Sequence, residues 1–438
     1  MFYFLDILLS LILSLVFSSL LIMRILLLRI VARVTFKNKV DKERNFLRIY
    51  QGSFYEAKRK DVLGIFYDNN YFFDHEYIVG FPAEQSGVIQ YDKNYTFIDI
   101  NKRGEPLKKY NLKLSFTIIN LFIFLWATIS LWRLVKKEIS LIRGYDPHHT
   151  GLASMLLSFI TKVPYCISIH CDYDLIFPEN SFFYMKELPI HIGPLRKKIE
   201  RFIFSRTKYV LCISQYIASY ALLNGARKNT IRIIPHGVDF SPFIKKTNTN
   251  EVRSWLECKN KYLIVVVSRI SLEKNIMDIS DIALNIQSEK PDFLFIIAGD
   301  GPAREELEES IHRLKLDEKI RLLGFQNQKT IANLRKAADV NLCLLDGYSL
   351  IEAALSARPV VAYDTEWHSE LIRHNETGLL VPNRDTGAAS LAIKRLIDNP
   401  DLSNLLGQNA KRLAIERYSS HVSLKKKIAV YKEVINSV

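Results

Sequence analysis

The chain has 438 residues, 48% of them hydrophobic, and a formal net charge of +14. That length accommodates two α/β domains, because single cores stop growing beyond roughly 250–300 residues. The charge points to anionic partners such as phosphates, nucleotides or an anionic membrane surface, while nothing supports nucleic acid: there is no finger spacing and no aromatic–basic signature of an RNA-binding sheet.

The chain opens on "LDILLSLILSLVFSSLLIM", an apolar run long enough to cross a hydrocarbon core of about 30 Å as a helix. A cleaved signal peptide is the alternative, but no basic segment precedes the run and no small-residue cleavage site closes it. Arg24, Arg29, Arg33, Lys37 and Lys39 follow it. By the positive-inside rule they place the rest of the chain in the cytoplasm. The expectation is therefore a single-pass anchor over residues 1–33 in the cell membrane. Residues 45–105 are mixed, with strand-like aromatic runs such as "YTFIDI". A second apolar stretch, 114–134, reads as a buried or membrane-dipping crossover helix, with a second span as the alternative.

From residue 139 strands alternate with helices of ten to fifteen residues: "EISLIRG", "PYCISIH", "RKKIERFIFSR", "YVLCIS", "QYIASYALLNGA", "TIRIIPHGVD". This is the rhythm of a doubly wound parallel sheet. Polar "IKKTNTNEVRSW" reads as a linker, and "YLIVVVSRI", "DFLFIIAGDG", "IRLLGF", "VNLCLL" and "RPVVAYD" begin a second series. The expected domains are 1–33 (anchor), 45–240 and 250–415 (both Rossmann-like), and 416–438 (a closing amphipathic helix). The five scattered cysteines form no CxxC pair and read as reduced, mostly buried thiols.

Several segments carry chemistry. In "VVVSRISLEKNI", Arg269 and Lys274 lie just beyond the carboxyl end of an apolar strand, where an open parallel sheet holds its ligand. Two cations there suit a diphosphate. "IIAGDGPAREELEE" is a second strand–turn–helix, but it lacks the third glycine of a dinucleotide fingerprint. "GYSLIEAALSARPVVAYDTEWHSELI" places Glu352 at the start of a helix and Glu366 and His368 after a buried strand. "DPHH" reads as a polar loop, since two adjacent histidines without further spaced ligands do not make a metal site.

The ordered set "IHCDYD", "IPHGVDFSPF", "SRISLEKN", "AGDGPA", "LLGF", "IEAALSARPVVAYD" and "ETGLLVPNRD" resembles the retaining GT-B glycosyltransferases of family 4 over about 139–419. The resemblance implies an α/β GT-B fold, two Rossmann-like domains facing a cleft, here with an N-terminal transmembrane helix. It implies transfer of a sugar from a nucleotide-sugar donor, with retention and without a metal or other cofactor. Arg269 and Lys274 become the diphosphate clamp and Glu352 the ribose ligand. His170 becomes the residue near the transferred sugar, and Gly324 and Phe325 border the nucleobase. The family has a first glutamate eight positions before Glu352, where this chain has Leu344. Asp346 replaces it if the loop is two residues shorter, with Glu366 and His368 as further sugar contacts. The anchor, the apolar stretch and "RKKIERFIFSR" favour a lipid-linked or cell-envelope glycan acceptor. A sugar-nucleotide epimerase of the same fold and a weakly catalytic nucleotide-sugar-binding scaffold are the alternatives.

Overall fold

A computed structural model describes residues 45–50, 72–83, 87–91, 94–101, 139–176 and 193–437. The anchor expected over residues 1–33 and the apolar stretch 114–134 lie outside the described residues. Among the described residues, no helix is long and apolar enough to cross a membrane. The chain divides into two compact units: one formed by described residues up to Ile234 with those from Leu424 onward, the other by Pro235–Ser423.

In the first unit eight strands form one sheet: β1 (Asn45–Tyr50), β2 (His75–Ala83), β3 (Gly87–Gln90), β4 (Tyr95–Asn101), β5 (Ile139–Gly144), β6 (Tyr165–Ile169), β7 (Val210–Cys212) and β8 (Ile231–Ile233). Their order is β3-β4-β2-β1-β5-β6-β7-β8. All pairings are parallel except β3 on β4, an edge hairpin of only four β3 residues. Parallel neighbours need crossover segments, supplied here by α1 (His149–Thr161), α2 (Gly193–Arg206) and α3 (Gln215–Leu223). Ser214 caps α3, its Oγ accepting from the Ile217 N–H at 3.1 Å.

The second unit carries β9 (Tyr262–Val267), β10 (Phe293–Ala298), β11 (Ile320–Gly324), β12 (Val340–Cys343), β13 (Val360–Asp364) and β14 (Leu379–Pro382). All are parallel, in the order β11-β10-β9-β12-β13-β14. Its main helices are α4 (Thr249–Trp255), α5 (Asp278–Gln287), α6 (Arg304–Arg313), α7 (Gln328–Ala337), α8 (Tyr348–Leu355), α9 (Thr386–Asp398) and α10 (Pro400–Tyr418). Ile264, Phe295 and Leu342 pack into one core, while Leu263, Val265 and Ile296 pack into another on the opposite face. That two-sided burial explains why these strands read as unbroken apolar runs. Strand order reverses between β9 and β12, the position where open α/β sheets bind ligands.

The last helix, α11 (Ser420–Ile435), belongs from Leu424 to the first unit rather than standing apart. Its Tyr431 is fully buried against Phe46 and Phe73, and its hydroxyl accepts from Arg143 Nη1 at 2.5 Å. One turn earlier, burial, with Arg48 adding to it, pushes the Lys427 ammonium down to about 7. Unfolding therefore takes up a proton between about 7 and the ordinary 10.5, and stability falls as pH drops through that window. Lys427→Met should raise the melting temperature at neutral pH and flatten its rise toward alkaline pH. Thermal melts across the window test this; an unchanged slope rejects it.

Candidate active site

Because all six strands of the second sheet run parallel, their carboxyl ends share one edge, and most of the sequence-selected groups leave from it. Arg269 follows β9 with an exposed side chain that pairs with Glu273 and bonds Ser271 Oγ at 3.2 Å. Lys274 ends a short 3-10 turn, Leu272–Lys274. Its Nζ donates to Leu345 O at 3.0 Å, linking the loops after β9 and β12 across the reversal of strand order. The loop after β10 lies so close that a Cβ on Gly299 would stand 1.8 Å from Ser268 O. Only glycine fits there. The Gly299 N–H also donates to Gly324 O at 2.9 Å, and Gly324, with φ +67°, turns the chain into Phe325, which is 80% exposed.

Glu352 departs from the expected position. Helix α8 begins at Tyr348, and Glu352 is its fifth residue rather than its start. Burial of Leu350 and Ile351 and donation from Ser349 Oγ to Val267 O draw the preceding turn into the helix. The Glu352 carboxylate is consequently buried. Its Oε1 accepts from Gln328 Nε2 at 3.0 Å and its Oε2 lies 4.0 Å from Arg335 Nε. Arg335 is completely buried and donates to Asn341 Oδ1 at 3.2 Å and Ser349 Oγ at 2.5 Å. Gln328 and Arg335 were not among the sequence candidates. The available signal for Arg335 was its place three residues after Ala332, on the buried stripe of α7.

Asp346 follows β12 and is 4% exposed. Burial raises its carboxyl above the ordinary aspartate range, and His368, Arg335 and Lys274 only partly offset that. His368 is not an open ligand but is fully buried. Its Nδ1 bonds Tyr363 O at 2.9 Å, and its Nε2 lies 3.0 Å from both the Asp346 N and the Asp346 O. The ring therefore reaches this edge only through the Asp346 backbone. Its neighbour Glu366 is half-buried in the left-handed region, φ +46°.

In the first unit His170 follows β6, its ring stacked on Tyr145 with centroids 5.5 Å apart. Tyr145 in turn lies over the Arg143 guanidinium at 4.5 Å. The acids of "CDYD" have partners within the unit: Asp172 Oδ2 accepts from Tyr216 OH at 2.9 Å, and Asp174 Oδ1 from Arg196 Nη2 at 2.7 Å. "DPHH" is a turn, as expected, but a buried one that leads into α1 at His149, with His148 Nε2 and Glu200 Oε1 2.7 Å apart. Apolar packing of α1 on α2 carries these polar groups inside, where Asp146 accepts from the His148 N–H at 2.7 Å and from Thr150 Oγ1 at 2.8 Å.

Two family models match in tandem: Glycosyltransferase Family 4 over residues 102–241 and Glycosyl transferases group 1 over residues 248–413. The chain belongs to the GT-B glycosyltransferases of family 4. Among its relatives, an alpha-D-kanosaminyltransferase from Streptomyces kanamyceticus is 28% identical over 42% of this chain and 49% of its own length. The alpha-monoglucosyldiacylglycerol synthase of Streptococcus pneumoniae is 24% identical over 66% of each chain. The chain thus spans about half to two thirds of the length of these relatives. Anabaena HepE, solved in complex with UDP, shares the fold with TM-score 0.69 and 18% identity, covering 89% of this chain and all of that one.

Because burial raises the Asp346 carboxyl, the folded state holds its proton more tightly than the unfolded one. Stability contributed at acid pH is lost as pH rises from 3.8 through the raised value. Asp346→Asn should therefore melt above the native protein at pH 7, with the gap closing toward acid. Paired melts from acid to neutral pH are the check, and a lower melting temperature throughout rejects the assignment.

Proposed function

We propose that the chain is a membrane-associated glycosyltransferase that moves a sugar from a nucleotide-sugar donor, with retention and without a metal, to a lipid-linked or cell-envelope glycan acceptor. The reading rests on one observation above others: Arg269, Lys274 and Asp346 leave one sheet edge at the reversal of strand order, with Glu352 on the helix that follows β12. Departure of a nucleoside diphosphate develops negative charge that Arg269 and Lys274 stabilise; preorganised contacts of this kind contribute about 3–4 kcal/mol each. Glu352, held by Gln328 and facing Arg335, is oriented to accept from ribose hydroxyls. Asp346 takes the place of the family's first glutamate beside the donor sugar, and Phe325 borders the base. His170 acts on turnover.

The relatives support the choice of substrates. HepE was solved with UDP, which suggests a uridine diphosphate sugar as donor. The pneumococcal relative is named for a glucosylated diacylglycerol, which suggests a lipid acceptor. The apolar run at residues 1–33 favours a cell-membrane location with both units in the cytoplasm. The outward cations of α2, Lys198, Arg201 and Arg206, favour contact with an anionic surface, Arg206 lying 4.1 Å over the Phe202 ring.

Purified protein screened against nucleotide sugars should bind one class and transfer its sugar, with chelator leaving activity largely intact. Arg269→Ala and Lys274→Ala should each weaken the nucleoside diphosphate and the donor together. Glu352→Gln should do the same by about 1.5–3 kcal/mol, the worth of a charge-assisted hydrogen bond. Asp346→Asn should instead lower turnover while the diphosphate, which carries ribose but no sugar, binds nearly as before. Calorimetric titration of the four variants separates the roles; equal diphosphate losses for Asp346→Asn and Glu352→Gln would refute the division.

A further inference from the structure

At the opposite edge of the second sheet lies a cavity of about 390 Å³. It is bordered by the turn between α8 and β13, the end of α7, the chain before α4, and α10. Five of its twelve lining residues are cationic, Lys245, Lys246, Lys336, Arg358 and Lys411, and none is acidic. Several basic side chains elsewhere in this unit take acidic partners, as in Lys290–Asp398, Arg304–Glu308 and Lys394–Glu289. Among the described residues none of the five cavity cations does.

Helix ends account for part of this collection. Cations are favoured at helix C-termini, and Arg358 Nε donates to Lys336 O at 2.8 Å. Lys336 Nζ donates to the carbonyls of Pro242 and Lys245 at 3.1 and 2.6 Å. Lys245, Lys246 and Lys411 are left with no acceptor among the described residues. Burial and the neighbouring Lys411 both push the Lys336 ammonium below its ordinary value, as expected where like charges converge without an anion.

We propose that this cavity is a second anion site, separate from the donor edge, that binds a small multiply charged phosphate ester. Its volume exceeds one phosphate, and Thr249, Asn404 and Gln408 add neutral hydrogen-bonding groups suited to hydroxyls. An occupant joins the segment before α4 to α7 and α10.

The test uses the full chain and inorganic pyrophosphate as probe. Lysine acylation, read by mass spectrometry, should show Lys336 and Lys411 protected by millimolar pyrophosphate, with Lys290 and Lys394 unchanged. Chloride at equal ionic strength should not reproduce this. Because the footprint is read residue by residue, occupancy of Lys274 is scored separately, and the two assignments stand or fall independently. Lys411→Glu and Lys246→Glu, both on the rim, should each weaken the protection of Lys336 about tenfold, one charged contact's worth, while the protein melts as before. Equal protection by chloride, or full protection of Lys336 in both variants, overturns the proposal. So does protection by phosphatidylglycerol vesicles alone, which would make the patch a membrane contact.

Discussion

The second unit is organised around one buried charge. Arg335 sits at zero exposure, and removing a guanidinium from water carries an effective penalty of several kcal/mol. Hydrogen bonds to Asn341 and Ser349 recover part of this, but neither partner is charged. The remainder comes from Glu352 at 4.0 Å and from the field of Asp346. The cation thus accounts for two carboxylates standing almost unhydrated at a ligand-binding edge. It also joins elements: Asn341 lies in β12, Ser349 in α8, and the Ser349 hydroxyl donates a hydrogen bond to Val267 O at the end of β9. Three elements are thereby referenced to one guanidinium on α7.

The compensation is uneven, and that unevenness carries functional meaning. Asp346 remains short of what its burial requires, since three cationic or ionisable neighbours do not return its carboxyl to the ordinary range. Its backbone is meanwhile over-determined, with Lys274 holding the adjacent Leu345 carbonyl and His368 holding the Asp346 backbone. Such a pairing of a costly side chain with a fixed backbone is expected where activity is favoured over stability. His368 shows how support is distributed: one ring links Tyr363, at the end of β13, to the loop after β12.

Much of this was legible in the sequence, and the rest failed for identifiable reasons. Apolar runs bounded by turn residues located the strands of the second sheet, because burial on both faces leaves no ambiguity of period. Arg269 and Lys274 could be placed beyond the carboxyl end of β9 because a position just after a strand is a local property, whereas Asp346 was reached only through the family resemblance. Gln328, Arg335 and the inward turn of His368 were not legible, since each depends on a partner at least fourteen residues away. Hairpin β3 was missed for a different reason: four residues give too short a window for an alternating pattern.

Charge was the property most easily over-read. A net +14 suggests a diffuse attraction for anions, yet the structure divides the cations into distinct classes. Arg196 and Lys197, counted in the basic stretch of α2, are consumed inside the first unit by Asp174 and Glu200, leaving Lys198, Arg201 and Arg206 outward. Arg48 is buried in an ion pair with Glu76 at 2.7 Å, and Arg143 is buried under aromatic rings and hydroxyls. Only cations outside such pairings attract a partner at long range, because a paired charge presents little more than a dipole beyond a screening length of about 8 Å. The relevant quantity for function is therefore the placement of uncompensated charge. In the second unit Lys274, at one edge of the sheet, and the five cavity cations, at the opposite one, have no salt-bridge partner among the described residues, whereas Arg269 is paired with Glu273.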